Sequence, residues 1–152
     1  MRNLNKELEE LLTLIVTSPK LHLYWLETLS YLENRGAHKI IQYQPRGHID
    51  LFLLQHAAEE TRHAFFFKRQ IYRLSKNPPP LRFLGKKFGR RYLDLLDLYI
   101  SRMLRKDAGF SQQQLKRGSY YLTSYAIEIR ANHIFETYEK VLKNSEISFS
   151  LQ

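Results

Sequence analysis

The sequence predicts an all-α protein, a four-helix bundle with a short extra helix at its N-terminus. Apolar residues recur at spacings of three and four along five segments, which is the period of an amphipathic helix. No stretch of the sequence shows the alternation of apolar and polar residues that a half-buried β-strand has. Pro78–Pro80, Gly47 and Gly109 separate the longer segments, since proline and glycine interrupt helices. We expect residues 1–152 to form one domain, with the bundle proper spanning about 19 to 144.

The first two helices are predicted from the signals at their ends. Leu4 to Val16 carries an apolar stripe with glutamates outside it. Ser18 and Pro19 follow, a favoured N-cap and a favoured first helical residue, so a second helix should begin at Pro19. We expect it to run to about Asn34, with Gly36 ending it in a left-handed conformation.

The other three helices are expected at about Gly47 to Ser75, Arg90 to Lys106 and Ser111 to Asn144. The last of these opens with a predicted capping box formed by Ser111 and Gln114. The passage from Asn77 to Gly89 is too long for a tight turn, so it is interpreted as a crossover along the bundle.

Composition excludes several classes of protein. The chain is 43% apolar and 26% charged and contains no cysteine, so neither a disulfide framework nor a thiolate metal site is available. The sequence contains no run of about 18 apolar residues, so no membrane span is predicted. The N-terminus lacks the basic head and apolar block of a secretory signal, so a cytoplasmic location is expected.

The formal charge of +9 would make the surface attractive to nucleic acid, acidic lipid headgroups or an acidic protein. The basic residues form two groups. One comprises Lys86, Lys87, Arg90 and Arg91, and the other Arg102, Arg105, Lys106, Lys116 and Arg117. A solvated helix face is the plainer explanation of the same pattern.

The third helix carries the least ordinary pattern in the chain. His56, Glu60 and His63 are spaced by four and three residues, so they stack in one column on one face. Leu53 and Phe67 continue this column, which is therefore predicted to be buried. A carboxylate and two imidazoles on an apolar stripe need a compensating partner, because an isolated buried charge is very costly. A metal ion is one such partner.

Each of the other long helices offers one acid near its apolar stripe: Glu27, Asp97 and Glu128. Carboxylates and imidazoles together are the ligands that iron, manganese and zinc take in proteins. Bridging carboxylates would permit two ions, since their negative charge offsets the repulsion between the cations. The alternative is a structural polar core in which the same groups are protonated or paired.

The segment Glu59-Glu60-Thr61-Arg62-His63 resembles the Glu-Glu-x-Arg-His motif of ferritin-like di-iron carboxylate proteins. That superfamily includes acyl-carrier-protein desaturases and a tRNA-modifying hydroxylase. The resemblance in helix order covers about Pro19 to Asn144 and implies a ferritin-like bundle with two iron ions, or manganese. The ligands it implies are Glu27, Glu60 as a bridge, His63, Asp97 and Glu128 as the second bridge.

The chain departs from this family on its last helix. A second Glu-x-x-His is expected there, but Ala131 stands three residues after Glu128. Either His56 or Asn132 replaces the absent histidine, or one ion binds well and a second weakly, or the site is a structural polar core. A haem-oxygenase-like packing with the same chemistry is a further alternative.

The resemblance implies a non-haem di-iron or mixed-metal oxidoreductase acting on a small-molecule or carrier-bound substrate. The alternative is a non-catalytic bundle that engages RNA or an acidic carrier protein through its basic surface. A homodimer is compatible with the chain, whereas a storage shell is not expected without a dedicated oligomerisation motif. Of the tyrosines near the site, Tyr24, Tyr31, Tyr99 and Tyr125 are expected mainly to pack in the core.

Overall fold

A computed structural model describes residues 3–44, 47–78, 86–106 and 109–145, with the backbone alone described for 86–90. Its elements are α1 (Leu4–Thr17), α2 (Pro19–Gln42), α3 (Leu51–Leu74), α4 (Lys86–Lys106) and α5 (Gln112–Asn144), and no strand occurs in these ranges. The prediction of an all-α protein is therefore confirmed. Within the described ranges, no helix combines the length and hydropathy that crossing a bilayer requires.

Most predicted helix ends agree with the structure to within one residue, but α3 begins four residues later than predicted, α4 begins four residues earlier, and the end of α2 differs most. The helix continues through Gly36 to Gln42, eight residues beyond the predicted end. Ala37 and Ile40 in this extension are buried, so packing outweighs the low helix propensity of glycine. At the other end of the chain the capping box is confirmed, because Ser111 Oγ accepts a hydrogen bond from the Gln114 backbone N–H at 3.3 Å.

Contacts between α2 and α3 show that these two helices are antiparallel. Ser30 Oγ donates to the Ala64 carbonyl oxygen, while Lys68 pairs with Glu27 earlier on α2. Residue numbers therefore rise along α2 as they fall along α3. α4 and α5 are antiparallel in the same way, since Ser101 contacts Ser119 whereas Tyr92, earlier on α4, lies against Arg130, later on α5.

α4 runs in the same direction as α2. Lys39 contacts Asp94, and Tyr43, one turn later on α2, contacts Asp97, about one turn later on α4. α3 and α4 therefore run in opposite directions, and the four long helices alternate up and down. A crossover spanning the bundle would make α3 and α4 parallel. The predicted crossover itself falls largely on residues 79–85, which lie outside the described part of the chain.

Two apolar cores lie at opposite ends of the bundle. The lower core joins α1, the start of α2 and the ends of α3 and α5, and comprises Leu12, Ile15, Val16, Leu23, Leu26, Leu29, Phe67, Ile71, Tyr138, Val141 and Leu142. The upper core joins the end of α2 to the starts of α3 and α5, and comprises Ile40, Leu53, Ala57 and Tyr120. Glu33 on α2 and Glu60 on α3 lie between these two cores, in a layer of polar side chains.

One buried histidine makes stability depend on pH. His22 lies in the lower core with Nε2 at 2.5 Å from the Tyr138 hydroxyl, and burial lowers its pKa from 6.5 to about 4. The unfolded chain therefore binds a proton at a pH where the folded chain does not. The contribution of His22 to the free energy of unfolding is complete above pH 6.5 and is lost as the pH falls towards 4.

We expect acidification to destabilise the wild type more than His22→Gln, whose side chain keeps a polar group but does not titrate. The free energy of unfolding should fall by about 2 kcal/mol more in the wild type between neutral pH and about pH 4.5. Urea unfolding at a series of pH values measures the difference. Parallel pH profiles for the two proteins would contradict the assignment.

Candidate metal centre

Five ionisable side chains from three helices meet in the polar layer between the two cores. α3 supplies His56, Glu60 and His63 in the predicted column, α2 supplies Glu33, and α5 supplies Glu128. They form two triads of donor atoms, Glu33 with Glu60 and His63, and His56 with Glu60 and Glu128. Within each triad all donor atoms lie within 4.8 Å of one another. Glu60 belongs to both triads.

The first triad joins α2 to α3. Glu33 Oε2 lies 3.5 Å from His63 Nδ1, and Glu33 also shares a hydrogen bond with Glu60. The two carboxylates are largely buried, each with 15% of its side chain exposed, whereas the His63 side chain is 59% exposed. The triad thus has a buried acidic side and an open imidazole side, so an ion could enter from solvent past His63.

The second triad joins α3 to α5. His56 Nε2 lies 3.3 Å from Glu60 Oε1 and 3.9 Å from Glu128 Oε1. The other ring nitrogen of His56, Nδ1, lies 2.5 Å from the Tyr120 hydroxyl oxygen. That contact holds the imidazole plane with Nε2 facing the carboxylates, which is how neighbouring groups commonly orient a metal-binding histidine.

Gly36 allows Glu60 to lie against the backbone of α2. A Cβ atom at this position would stand 3.0 Å from Glu60 Oε2, tighter than ordinary carbon–oxygen contact. Because Gly36 is inside a regular helix, its role is space for the carboxylate. The glycine that seemed to end α2 therefore belongs to the centre.

We expect Gly36→Ala to lower the affinity for metal without lowering the stability of the metal-free protein. Alanine in a helix interior is favoured over glycine by up to about 1 kcal/mol, but its methyl group would push Glu60 out of the shared position. Metal affinity should fall while the free energy of unfolding of the metal-free protein stays constant or rises. Calorimetric metal titration and urea unfolding measure the two quantities. Gly118→Ala, where the added carbon would meet Leu104 instead, is the matched control.

Protonation balances the charges of this cluster. The pKa of Glu33 is raised to about 7, chiefly by burial, with His63 lowering it and the neighbouring Glu60 carboxylate raising it. Burial also tends to raise the pKa of Glu60, but hydrogen bonds from His56 and Glu33 outweigh it and leave that pKa below its usual value. Hydrogen bonds to Glu60 and Glu33 raise the pKa values of His56 and His63, respectively. Protons and metal ions would therefore compete for the same donor atoms.

A cavity of about 60 Å³ adjoins the second triad. His56, Glu60 and Glu128 form its polar side, and Ile40, Leu93 and Ile127 are among its apolar wall residues. It has room for a molecule of very few atoms next to the donor groups.

The structure places two of the predicted ligands elsewhere. Glu27 is paired with Lys68 Nζ at 2.5 Å, nearly two turns of α2 away from Glu33. Asp97 accepts a hydrogen bond from the Tyr43 hydroxyl at 2.6 Å and pairs with Lys39 at 3.2 Å. Both acids have cationic partners of their own, so neither joins the five-residue cluster.

The remaining candidates fall into three groups. Glu60, His63 and His56 lie in the cluster. Glu128 lies in it too, but its side chain is 53% exposed and was expected to be buried. Asn132 is exposed on α5, one turn beyond Glu128. Arg62, part of the motif, forms an exposed pair with Glu59 at 3.8 Å, as its spacing predicts.

Two functional candidates were missed from the sequence, Glu33 and Tyr120. Glu33 stands one residue before the predicted end of α2, and no role was predicted for it from the sequence. Its spacing to Ala37 and Ile40 would have placed it on the buried face if α2 had been continued through Gly36. Tyr120 gave no separate signal, because tyrosine is abundant in this chain and its hydroxyl partner lies on another helix.

Comparison of the chain with protein families, curated proteins and solved structures gave no match.

Proposed function

We propose that this chain is a metal-binding helical-bundle protein whose centre takes two divalent first-row transition ions with Glu60 as the bridge. The observation that carries the proposal is the pair of donor triads that share Glu60. One carboxylate common to two sets of ligands is the arrangement that a dinuclear centre needs, and a structural polar core has no need of it.

The donor set fits iron or manganese. Each triad offers one imidazole nitrogen and carboxylates from two glutamates, the mixture of nitrogen and oxygen donors that these ions accept. The three glutamates together carry three negative charges, so two divalent ions would leave a net charge of about +1, far smaller than that of the bare cations. In this proposal His56 takes the place of the histidine that the last helix lacks, which is one of the alternatives that the sequence leaves open.

Bound iron or manganese would supply electron transfer and reaction with dioxygen, which makes an oxidoreductase the reaction class of the proposal. The chain's own residues would hold and orient the ions: Tyr120 fixes the His56 ring, and Gly36 leaves room for Glu60. The cavity of about 60 Å³ suits a small co-substrate, and a larger substrate, free or carrier-bound, would approach the exposed side of His63 and Glu128.

Membership of the ferritin-like superfamily is a part of the proposal that rests on the motif from Glu59 to His63. The contribution of Glu33 from α2 and of Glu60 with His63 from α3 supports it. The four long helices alternate in direction, whereas a bundle with one long crossover would have α3 and α4 parallel. An independent arrangement of the same ligand chemistry is therefore the competing explanation.

The test is a metal count on the purified full-length protein after anaerobic loading with Fe(II), with Mn(II) and Zn(II) in parallel. We expect about two equivalents by elemental analysis for at least one of these ions. Glu33→Ala and Glu128→Ala should each retain about one, because each removes a ligand from one triad and leaves the other intact. Absence of stoichiometric metal under all three conditions would refute the proposal. Oxygen uptake by the iron-loaded protein then tests the reaction class.

A further inference from the structure

The end of the bundle that holds the upper core displays apolar side chains to solvent. Because the helices alternate in direction, the connection from α2 to α3 and the connection from α4 to α5 both lie at this end. The exposed apolar residues in and beside the two connections are Ile41, Ile49, Leu51, Phe52, Met103, Phe110 and Tyr121. Ile49 is 71% exposed and Leu51 77% exposed. These residues are called the end surface below.

The start of α3 adjoins the first three turns of α5. The ring of Phe52, in the first turn of α3, lies 6.3 Å from the ring of Tyr121 on α5. Asp50 and Leu53 share a cavity of about 80 Å³ with Lys116 and Arg117. The α2–α3 connection and the start of α5 thus form part of one surface, beside a cavity that has cationic side chains on its wall.

Positive charge borders the end surface on its α4 and α5 side. Its exposed basic residues are Arg102, Arg105, Lys106, Lys116 and Arg117. The described residues at this end of the bundle are 39–44, 47–58, 98–106 and 109–127, and Asp50 is the one acidic residue among them. Its carboxylate caps α3 by accepting a hydrogen bond from the Leu53 backbone N–H. Asp107 lies outside the described residues. The described part of this end therefore has a strong excess of cations.

We propose that the end surface docks on a lipid bilayer that carries anionic phospholipid. The exposed side chains of Ile49, Leu51 and Phe52 would enter the interfacial region, and the bordering cations would contact headgroup phosphates. An RNA partner would account for the cations but would leave the aliphatic tips in water. A bilayer accounts for both features. This inference is independent of the metal centre.

The experiment is co-sedimentation of the full chain with vesicles. The wild type should sediment with vesicles of phosphatidylcholine and phosphatidylserine, and not with phosphatidylcholine alone. Ile49→Ser combined with Leu51→Ser, and separately Arg105→Glu combined with Lys106→Glu, should each lower partitioning about fivefold or more. All four side chains are exposed, so unchanged unfolding midpoints should accompany the loss.

Matched controls come from the opposite end of the bundle. Leu14 on α1 and Lys76 after α3 are also exposed, so Leu14→Ser and Lys76→Glu should sediment as the wild type does. Equal sedimentation of the wild type and both end-surface variants would overturn the proposal. So would retention on RNA that the charge reversals abolish and the apolar substitutions leave unchanged, because RNA would then be the partner.

Discussion

Glu60→Ala should abolish binding of both metal ions. Glu60 is the carboxylate that the two donor triads share, so its removal leaves each triad with two ligands from different helices. We expect the affinity for each ion to fall by more than about 100-fold, since loss of a supporting residue alone commonly costs 10- to 100-fold. Elemental analysis after loading and gel filtration measures the result.

The controls for this substitution are the two acids that the sequence favoured and the structure places elsewhere. Glu27→Ala and Asp97→Ala should retain the wild-type metal content, because Glu27 pairs with Lys68 and Asp97 with Lys39 and Tyr43. Loss of metal from Glu27→Ala or Asp97→Ala would exchange the assigned centre for the ligand set that the family motif implies, whereas retention of metal in Glu60→Ala would contradict both. Cooperative unfolding of the metal-free variants shows whether each is folded.

Tyr138→Ala should destabilise the protein by about 4 kcal/mol, as large-to-small changes of buried aromatic residues do. Tyr138 is fully buried in the lower core, where its ring meets Trp25 edge-on and its hydroxyl contacts His22. The substitution opens a cavity and leaves the buried imidazole without this partner. Such a loss is a large fraction of the stability of an ordinary domain.

Two matched variants test where this loss of stability comes from. Tyr138→Phe keeps the ring and removes the hydroxyl, so a smaller loss of about 1 to 2 kcal/mol is expected from the hydrogen bond between Tyr138 and His22 that is removed. Tyr125→Ala, at an exposed position of the same helix, should change the free energy of unfolding by about 0.5 kcal/mol or less. Urea unfolding at neutral pH measures all three. A similar loss for Tyr125→Ala and Tyr138→Ala would contradict the burial of Tyr138.

Periodicity predicted the part of the centre that lies on one helix. His56, Glu60 and His63 face the same way because their spacing follows the turn of α3, which needs no knowledge of other helices. Glu33 was missed for a local reason, since glycine in the sequence usually marks a helix end. Here Ala37 and Ile40 pack beyond it and continue α2.

The acids on other helices could not be assigned from the sequence, because their roles depend on partners across the bundle. Glu27 and Glu33 lie on the same helix and are both mostly buried, yet one meets Lys68 and the other His63. That difference is set by which turn of α2 faces which turn of α3. The direction of α4 likewise depends on contacts such as that of Tyr43 with Asp97, which no local pattern encodes.

The donor groups extend along the chain from Glu33 to Glu128, and the most C-terminal of them lies on the last helix. A chain still being synthesised, with α5 inside the ribosome, contains the three residues of the first triad and lacks Glu128 of the second. In the proposed centre, loading of both sites would therefore follow synthesis of α5 and its docking against α3. Occupancy of both sites would thus indicate that α5 has docked against α3. Fragments that end before α5 should hold one ion at most.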